Sequence, residues 1–369
     1  MTLHSGQVEL QLTEDQVFLL DTTRRFLDAS APMPAVRALE DDPAGWSPAY
    51  WRQGAELGWT SMLVPEALGG GSLSEHGLLD LVLVAEELGR HVAPGPLGPV
   101  NIVASAIARA GTAEQREAVL PSLLDGSAIA AWCGHVPVEA TVDGEGWVLS
   151  GAIPAVEAGA QAEHLLVPAT TGAEVVQVLV PVSAPGVTVT PLAGLDLVRR
   201  HAAVTFAEAR VPRSAAVGED VEHSLQLACV LQCAETCGVI DVVFAMTVEY
   251  LGDRYSFGRP LSSYQALKHR LADDKVVLEA CHAAAGAAAR AVASSSTQAA
   301  ELVSVAKHWI GPHATELIQD AVQLHGGIGV TWEHDLHLYL RRATVNRVLH
   351  GTPEWHADRI AGALLGAVS

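Results

Sequence analysis

A chain of 369 residues is long enough for two or three packed units around substantial cores. Apolar residues make up 49% and charged residues 17%, a globular rather than a disordered balance. The formal charge of -20 repels a phosphate backbone and speaks against a nucleic-acid partner; an anionic small ligand stays open wherever arginines gather.

The chain opens on MTLHSGQVELQLTEDQ, without the basic start and apolar core of a signal peptide. No stretch approaches the roughly 20 apolar residues of a membrane span. The five cysteines, Cys133, Cys229, Cys233, Cys237 and Cys281, are odd in number, which points to reduced thiols in a cytoplasm.

The first third reads as helices. LTEDQVFLLDTTRRFLDASA starts with Thr13 as cap and Glu14 and Asp15 in the first turn. SPAYWRQGAELGW and HGLLDLVLVAEELGRH follow at helical spacing, separated by a Gly-rich loop from Val64 to Ser74. TAEQREAVLPSLLDGS is a further capped helix ending at Gly126. From about Ala128 to Val211 the pattern changes to β-branched runs punctuated by Gly and Pro: GWVLSG, EVVQVLVPV, GVTVTPL and HAAVTFAEARVP. These predict short antiparallel strands. Helical periodicity then resumes, with long helices predicted over His223 to about Asp253 and Tyr264 to Ser294.

This order makes an α+β chain: an N-terminal helical domain over 1-127, a middle antiparallel β-domain over 128-215 and a C-terminal helical domain over 216-369. Cys229, Cys233 and Cys237 recur every fourth residue along one helical stripe, better explained by tight helix packing than by a metal. His334 and His337, or His350 and His356, lack further ligands at recognisable spacing, so hydrogen-bonded histidines are the favoured reading.

Two stretches carry chemistry: RYSFGRPLSSYQALKHRLAD from Arg254 and QLHGGIGVTWEHDLHLYLRRA from Gln323. Arg254 offers a fork of donors suited to a pyrophosphate, Ser256 a hydroxyl and Phe257 an apolar face. Gly326 and Gly327, lacking Cβ, let a ligand approach the backbone, although a helix C-cap explains them as well. With LGWTSMLVPEALGG and AEELGR in the first third, these stretches resemble the flavin-dependent acyl-CoA dehydrogenase family over nearly the whole chain.

The resemblance implies that family's fold, with a C-terminal four-helix-bundle domain, and FAD as cofactor. In the family the two motifs reach across a dimer interface to the ADP half of FAD seated mainly in the neighbouring subunit. Carried onto this sequence, that role falls to Arg254, Ser256, Phe257, Gln265, Gln323, Gly326 and Gly327. The family's reaction takes an α-proton from an acyl-CoA thioester with a carboxylate, commonly the Glu of a Glu-Gly-Thr tripeptide near the C-terminus. Here that tripeptide is His350-Gly351-Thr352. Relatives that place the base on the long helix put it at a position equivalent to Ala228, followed by Cys229; the nearest acids are Glu235 and Glu354.

The flavin-ring elements are missing too. AAWCGHVPVEATVDGEG lacks the family's Thr-Glu-Pro and Gly-Ser-Asp stretches, and Ala155-Val156-Glu157 stands where a Trp-Ile-Thr element covers the ring. An anion at Glu157 disfavours a reduced, anionic flavin. The pattern resembles the non-catalytic half of heterotetrameric acyl-CoA dehydrogenases of actinobacterial sterol side-chain degradation. It implies a partner subunit carrying the catalytic Glu and most of the acyl-CoA site, with electron-transfer flavoprotein as acceptor. Two other readings stay open. One is a self-sufficient homo-oligomer using His350 as base, since an imidazole is intrinsically the stronger base; the other is a nucleotide-free scaffold.

Overall fold

The computed structural model describes residues 12–144, 146–172, 174–218 and 220–366. The stretch searched for a leader lies, through residue 11, outside them. The first third forms α1 (Glu14–Ser30), α2 (Met33–Ala38), α3 (Pro48–Glu56), α4 (Gly77–Arg90), α5 (Leu97–Ala110) and α6 (Ala113–Leu124). Thr13 caps α1 as the sequence predicts, and Gln16 completes the box: each side chain accepts the other's backbone N–H at 3.2 Å. Thr112 and Gln115 repeat the device at α6.

The middle of the chain forms β1 (Ala130–Trp132), β2 (Val138–Asp143), β3 (Gly146–Glu157), β4 (His164–Thr170), β5 (Val175–Pro181), β6 (Val187–Leu192), β7 (His201–Pro212) and β8 (Ala216–Gly218). The sheet runs in the order β6-β7-β3-β2-β4-β5-β8, with β1 also on β4. It is mixed rather than wholly antiparallel, which corrects the expectation from sequence. β1 lies parallel to the start of β4 (Ala130 opposite His164) and β2 parallel to its end (Val138 opposite Ala169). No chain reversal separates the two, so both run alongside β4 in the same sense. Leu149, Leu165, Val178, Val204 and Phe206 fill the core of the sheet.

The last third forms α7 (Val221–Asp253), a hairpin of β9 (Tyr255–Ser256) and β10 (Arg259–Pro260), then α8 (Gln265–Ala293), α9 (Ala299–His325), α10 (Leu336–Val348) and α11 (Pro353–Gly366). The long helices fall within two residues of their predicted ends. Two of them, α7 and α8, are long and apolar enough to cross a membrane, more than the sequence expectation allowed. Most of the α7 window is buried inside the protein, as befits a core helix that is apolar on all sides.

The chain divides into two compact units, one of Pro34–Leu81 and Pro94–Ala228, the other of residues up to Met33, Val82–Ala93 and the chain from Cys229 on. In the first, α5 packs on β1 and β8. In the second, α4 and α7 cross at two glycines. A Cβ at Gly89 would lie 2.0 Å from the Glu235 carbonyl oxygen, and one at Gly238 would lie 1.9 Å from that of Glu86. No larger residue fits either position without parting the helices. Cys229, Cys233 and Cys237 are buried in the same core, and burial pushes the Cys233 thiol up to about 12.

Candidate functional site

Both motifs, from Arg254 and from Gln323, lie in the unit that holds the chain from Cys229 on. At the end of α7 the Arg254 N–H still bonds to the Tyr250 carbonyl at 2.9 Å, and the Arg254 carbonyl accepts from Leu261 N–H at 2.8 Å. This closes the β9–β10 hairpin, whose turn residues Phe257 (φ 51°) and Gly258 (φ 78°) are both left-handed. Glycine bears that conformation freely, whereas phenylalanine does so at a cost, and its ring is 97% exposed. The Tyr264 hydroxyl donates to the Ser256 carbonyl at 2.8 Å and steadies the hairpin base. Arg254 is exposed, and its guanidinium bonds to no side chain among the described residues. Gln265, the exposed first residue of α8, lies beyond the hairpin.

The second motif ends α9. Gln323 is exposed, and Gly326 terminates the helix at φ 64°, ψ -139°, a conformation open essentially to glycine alone. A Cβ on Gly326 or Gly327 would meet nothing within 4 Å, so the backbone there faces open space. The two motifs are tied together by residues the sequence reading did not name. Tyr250, one turn before Arg254, stacks on His325, the residue before Gly326, with ring centroids 4.4 Å apart at 22°. His325 is 2% exposed, and its Nδ1 donates to the Ala321 carbonyl at 2.8 Å. Their places beside the motifs were the available signal.

His350 follows α10 in the left-handed region (φ 61°), with Gly351 after it at φ 110°. The His350 carbonyl accepts from His356 Nε2 at 3.2 Å and from the Cys229 thiol at 3.8 Å. Buried Lys307, also missed in the sequence, donates from Nζ to the carbonyls of Asn346 and Leu349 (2.7 and 2.8 Å) and to Gln232 Oε1 (2.6 Å). An ammonium thus holds the C-terminal turn of α10 ahead of His350. Ala228 and Cys229 are buried and offer no acid. Glu235 is committed elsewhere: Arg342 Nη1 donates to it at 2.7 Å and Asn346 Nδ2 at 2.8 Å. Glu354 is exposed in the first turn of α11, its carboxyl held below the usual range by its own backbone N–H and the Thr352 hydroxyl.

Glu157 corrects the electrostatic expectation. Arg199 Nε lies 3.2 Å from its Oε1, so the charge at the end of β3 is compensated. His334 and His337 do not converge: Nδ1 of His334 accepts from Leu336 N–H, and His337 Nε2 donates to the Trp332 carbonyl.

Glu86, Asp241 and His282 bring ligand atoms within 4.8 Å of one another. Arg90 fills this cluster, donating to Glu86 at 2.9 Å and to Asp241, while His282 Nε2 bonds to Asp241 Oδ1 at 2.9 Å. A cation already sits between the acids, so the arrangement is an ion-pair network. Burial works against the His282 charge, but the hydrogen bond and the charge of Asp241 outweigh it and raise the group above 6.5. A raised basic group stabilises the fold fully below its unfolded value and loses that contribution as pH rises through its folded one. In urea titrations, the stability difference between the parent and His282→Gln is therefore expected to shrink from pH 6 to pH 8. A constant difference would show that the network is not proton-linked.

The chain matches the model for "Acyl-CoA dehydrogenase, N-terminal domain" over residues 13–127 and that for "Acyl-CoA dehydrogenase, C-terminal domain" over 219–365. It is 30% identical over 352 residues to acyl-CoA dehydrogenase IpdE2 of Mycolicibacterium smegmatis, covering 95% of this chain and 98% of the relative. Acyl-CoA dehydrogenase FadE27 of Mycobacterium tuberculosis is 31% identical, with 90% and 91% covered. Among solved structures, the Tcur3481–Tcur3483 steroid ACAD variant superposes with a TM-score of 0.88 at 30% identity, covering 96% of this chain and 99% of that one. The ChsE4–ChsE5 complex of Mycobacterium tuberculosis gives 0.88 at 28%, with 97% and 99% covered.

Proposed function

This chain belongs to the acyl-CoA dehydrogenase family, and from that premise we propose that it is the non-catalytic subunit of a heteromeric enzyme that desaturates an acyl-CoA thioester. Its substrate class is a sterol side-chain CoA ester, a reading supported by the similarity to a steroid ACAD and to a two-protein complex. The domain boundaries at 127/128 and 215/216 are supported by the extents of the two family matches. The observation that carries the role is the pairing of an open nucleotide grip with a base position held by His350.

FAD, when bound by the partner, supplies the hydride acceptor of the reaction. This chain's residues fit its ADP half. Arg254 presents a guanidinium unclaimed by any described side chain, Phe257 an exposed ring, and Gly326 and Gly327 an unobstructed backbone. Ser256, Gln265 and Gln323 complete the contacts. The partner contributes the Glu, the ring pocket and most of the acyl-CoA site. Electron-transfer flavoprotein takes the electrons, and the assembly works in the cytoplasm.

The His350 reading is tested in the same assembly. His350→Ala in the complex is expected to leave turnover within about twofold, a change below roughly 0.5 kcal/mol. A loss of a hundredfold or more would make His350 the base and this chain catalytic. Co-expression with a partner that carries the Glu is expected to yield a yellow complex, whereas the chain by itself stays nearly colourless.

A further inference from the structure

Helix α8 has two opposite faces, and the chain covers only one. Leu278, Cys281, Ala285, Ala288 and Val292 recur at helical spacing and are buried. On the far side lie Asp273, Val276, Ala280, Ala283, Ala287 and Arg290. Val276 is 69% exposed; Asp273, Ala283 and Arg290 are exposed as well, and Ala280 and Ala287 are half-buried. These six residues alternate in steps of three and four, the repeat with which one helix seams onto another. Of the apolar stretch of α8 only 39% is buried, against 83% for α7, so α8 leaves apolar surface to water.

The electrostatics of this face differ from those of the chain as a whole. With 42 acidic and 22 basic side chains, two copies repel each other over most of their surfaces. From Val276 to Arg290 there is a single acid, Glu279, and Lys275 already pairs with it. Charge collects at the ends of the stripe: Asp273 before it and Arg290 after it, neither with a hydrogen-bond or ion-pair partner for its side chain among the described residues. Arg290 Nη1 lies 3.1 Å from where a Cβ on Gly286 would stand, so the guanidinium lies back along the helix over a residue with no side chain.

We infer that this face of α8 is a contact between two copies of this chain, with the two helices antiparallel about a two-fold axis between Ala280 and Ala283. One axis sets every pair. Ala280 of one copy faces Ala283 of the second, so the helices approach closely where they cross. Val276 faces Ala287, large against small. Asp273 faces Arg290, and the symmetry forms that ion pair twice. Parallel helices would set Asp273 against Asp273 and Arg290 against Arg290. The alanines alone would suit either orientation; the charges choose the antiparallel one. In an assembly that holds two copies of this chain, the contact joins them. The trans-site reading neither requires this contact nor falls with it.

Sedimentation of the full chain without its Glu-bearing partner reads the contact. The wild-type chain is expected to form a dimer at micromolar concentration. Asp273→Arg or Arg290→Asp alone turns both ion pairs into like-charge contacts, and each is expected to weaken the dimer at least tenfold. The double exchange Asp273→Arg/Arg290→Asp rebuilds both pairs with the signs reversed and is expected to return the affinity to within about threefold of wild type. Both residues are exposed, so the circular dichroism of all three variants is expected to match that of the parent. A monomeric wild-type chain overturns the inference, as does a dimer that the single exchanges leave intact or the double exchange fails to restore. If the single exchanges release the chain from its Glu-bearing partner while self-association is untouched, the face belongs to that partner and the inference fails. The flavin content of the reconstituted complex is read separately, so a failed dimer leaves the trans-site reading standing.

Discussion

Arg342→Ala is expected to destabilise the chain by about 3–5 kcal/mol, the range for stripping one partner from a buried ion pair. The side chains of Arg342 and Glu235 are 1% and 8% exposed. Alanine would take the guanidinium away from the buried Glu235 carboxylate, to which Asn346 Nδ2 also donates. It would also strip the carbonyls of Val92 and Ala93 of guanidinium contacts at 3.3–3.4 Å. Against a total stability of roughly 5–15 kcal/mol, that loss brings many domains close to unfolding. Urea denaturation measures it, and the double substitution Glu235→Leu/Arg342→Leu is expected to recover part of the loss by removing both charges together. A cost below about 1 kcal/mol would mean that Glu235 is not committed to this pair, and the acid would return as a candidate base.

Arg254→Ala is expected to act in the opposite way, sparing the fold and weakening the cofactor. The side chain is exposed and makes no bond to another described side chain, so global stability should stay within about 0.5 kcal/mol. If its guanidinium reaches a pyrophosphate in the assembled enzyme, the lost charged hydrogen bonds cost about 1.5–3 kcal/mol, or roughly 10- to 150-fold in FAD affinity. Flavin retained by the purified complex through dialysis measures this. Full retention would detach the hairpin from the nucleotide.

Much of the fold was legible because its periodicities are strong. Thr13 and Thr112 announced capped helices, and the long apolar repeats of α7 and α8 set their ends within two residues. α5 was missed for a physical reason: Leu97 and Pro99 through Ala108 are all buried, so the segment lacks the polar face that makes a helix readable. β4, buried along nearly its whole length, lacks alternation in the same way. The parallel pairing of β1 and β2 with β4 depends on partners distant in the chain, which local pattern does not encode.

At the candidate site, the motif residues were legible from glycine and arginine spacing. Their supports were not. Tyr250 and His325 meet only once α7 and α9 are packed, and Lys307 finds the carbonyls of Asn346 and Leu349 from another helix. Arg199 lies far along the chain from Glu157, so the compensation of that charge emerged only in three dimensions. A lone acid in a sequence says nothing about the base that packs against it.

The most direct measurement is the ratio of flavin to polypeptide, from absorbance and amino-acid analysis, for this chain alone and for the complex with its Glu-bearing partner. The expected result is a chain that is nearly flavin-free in isolation and a complex that holds fewer FAD molecules than chains. A homo-oligomer of this chain with one FAD per polypeptide and acyl-CoA oxidation of its own would contradict it.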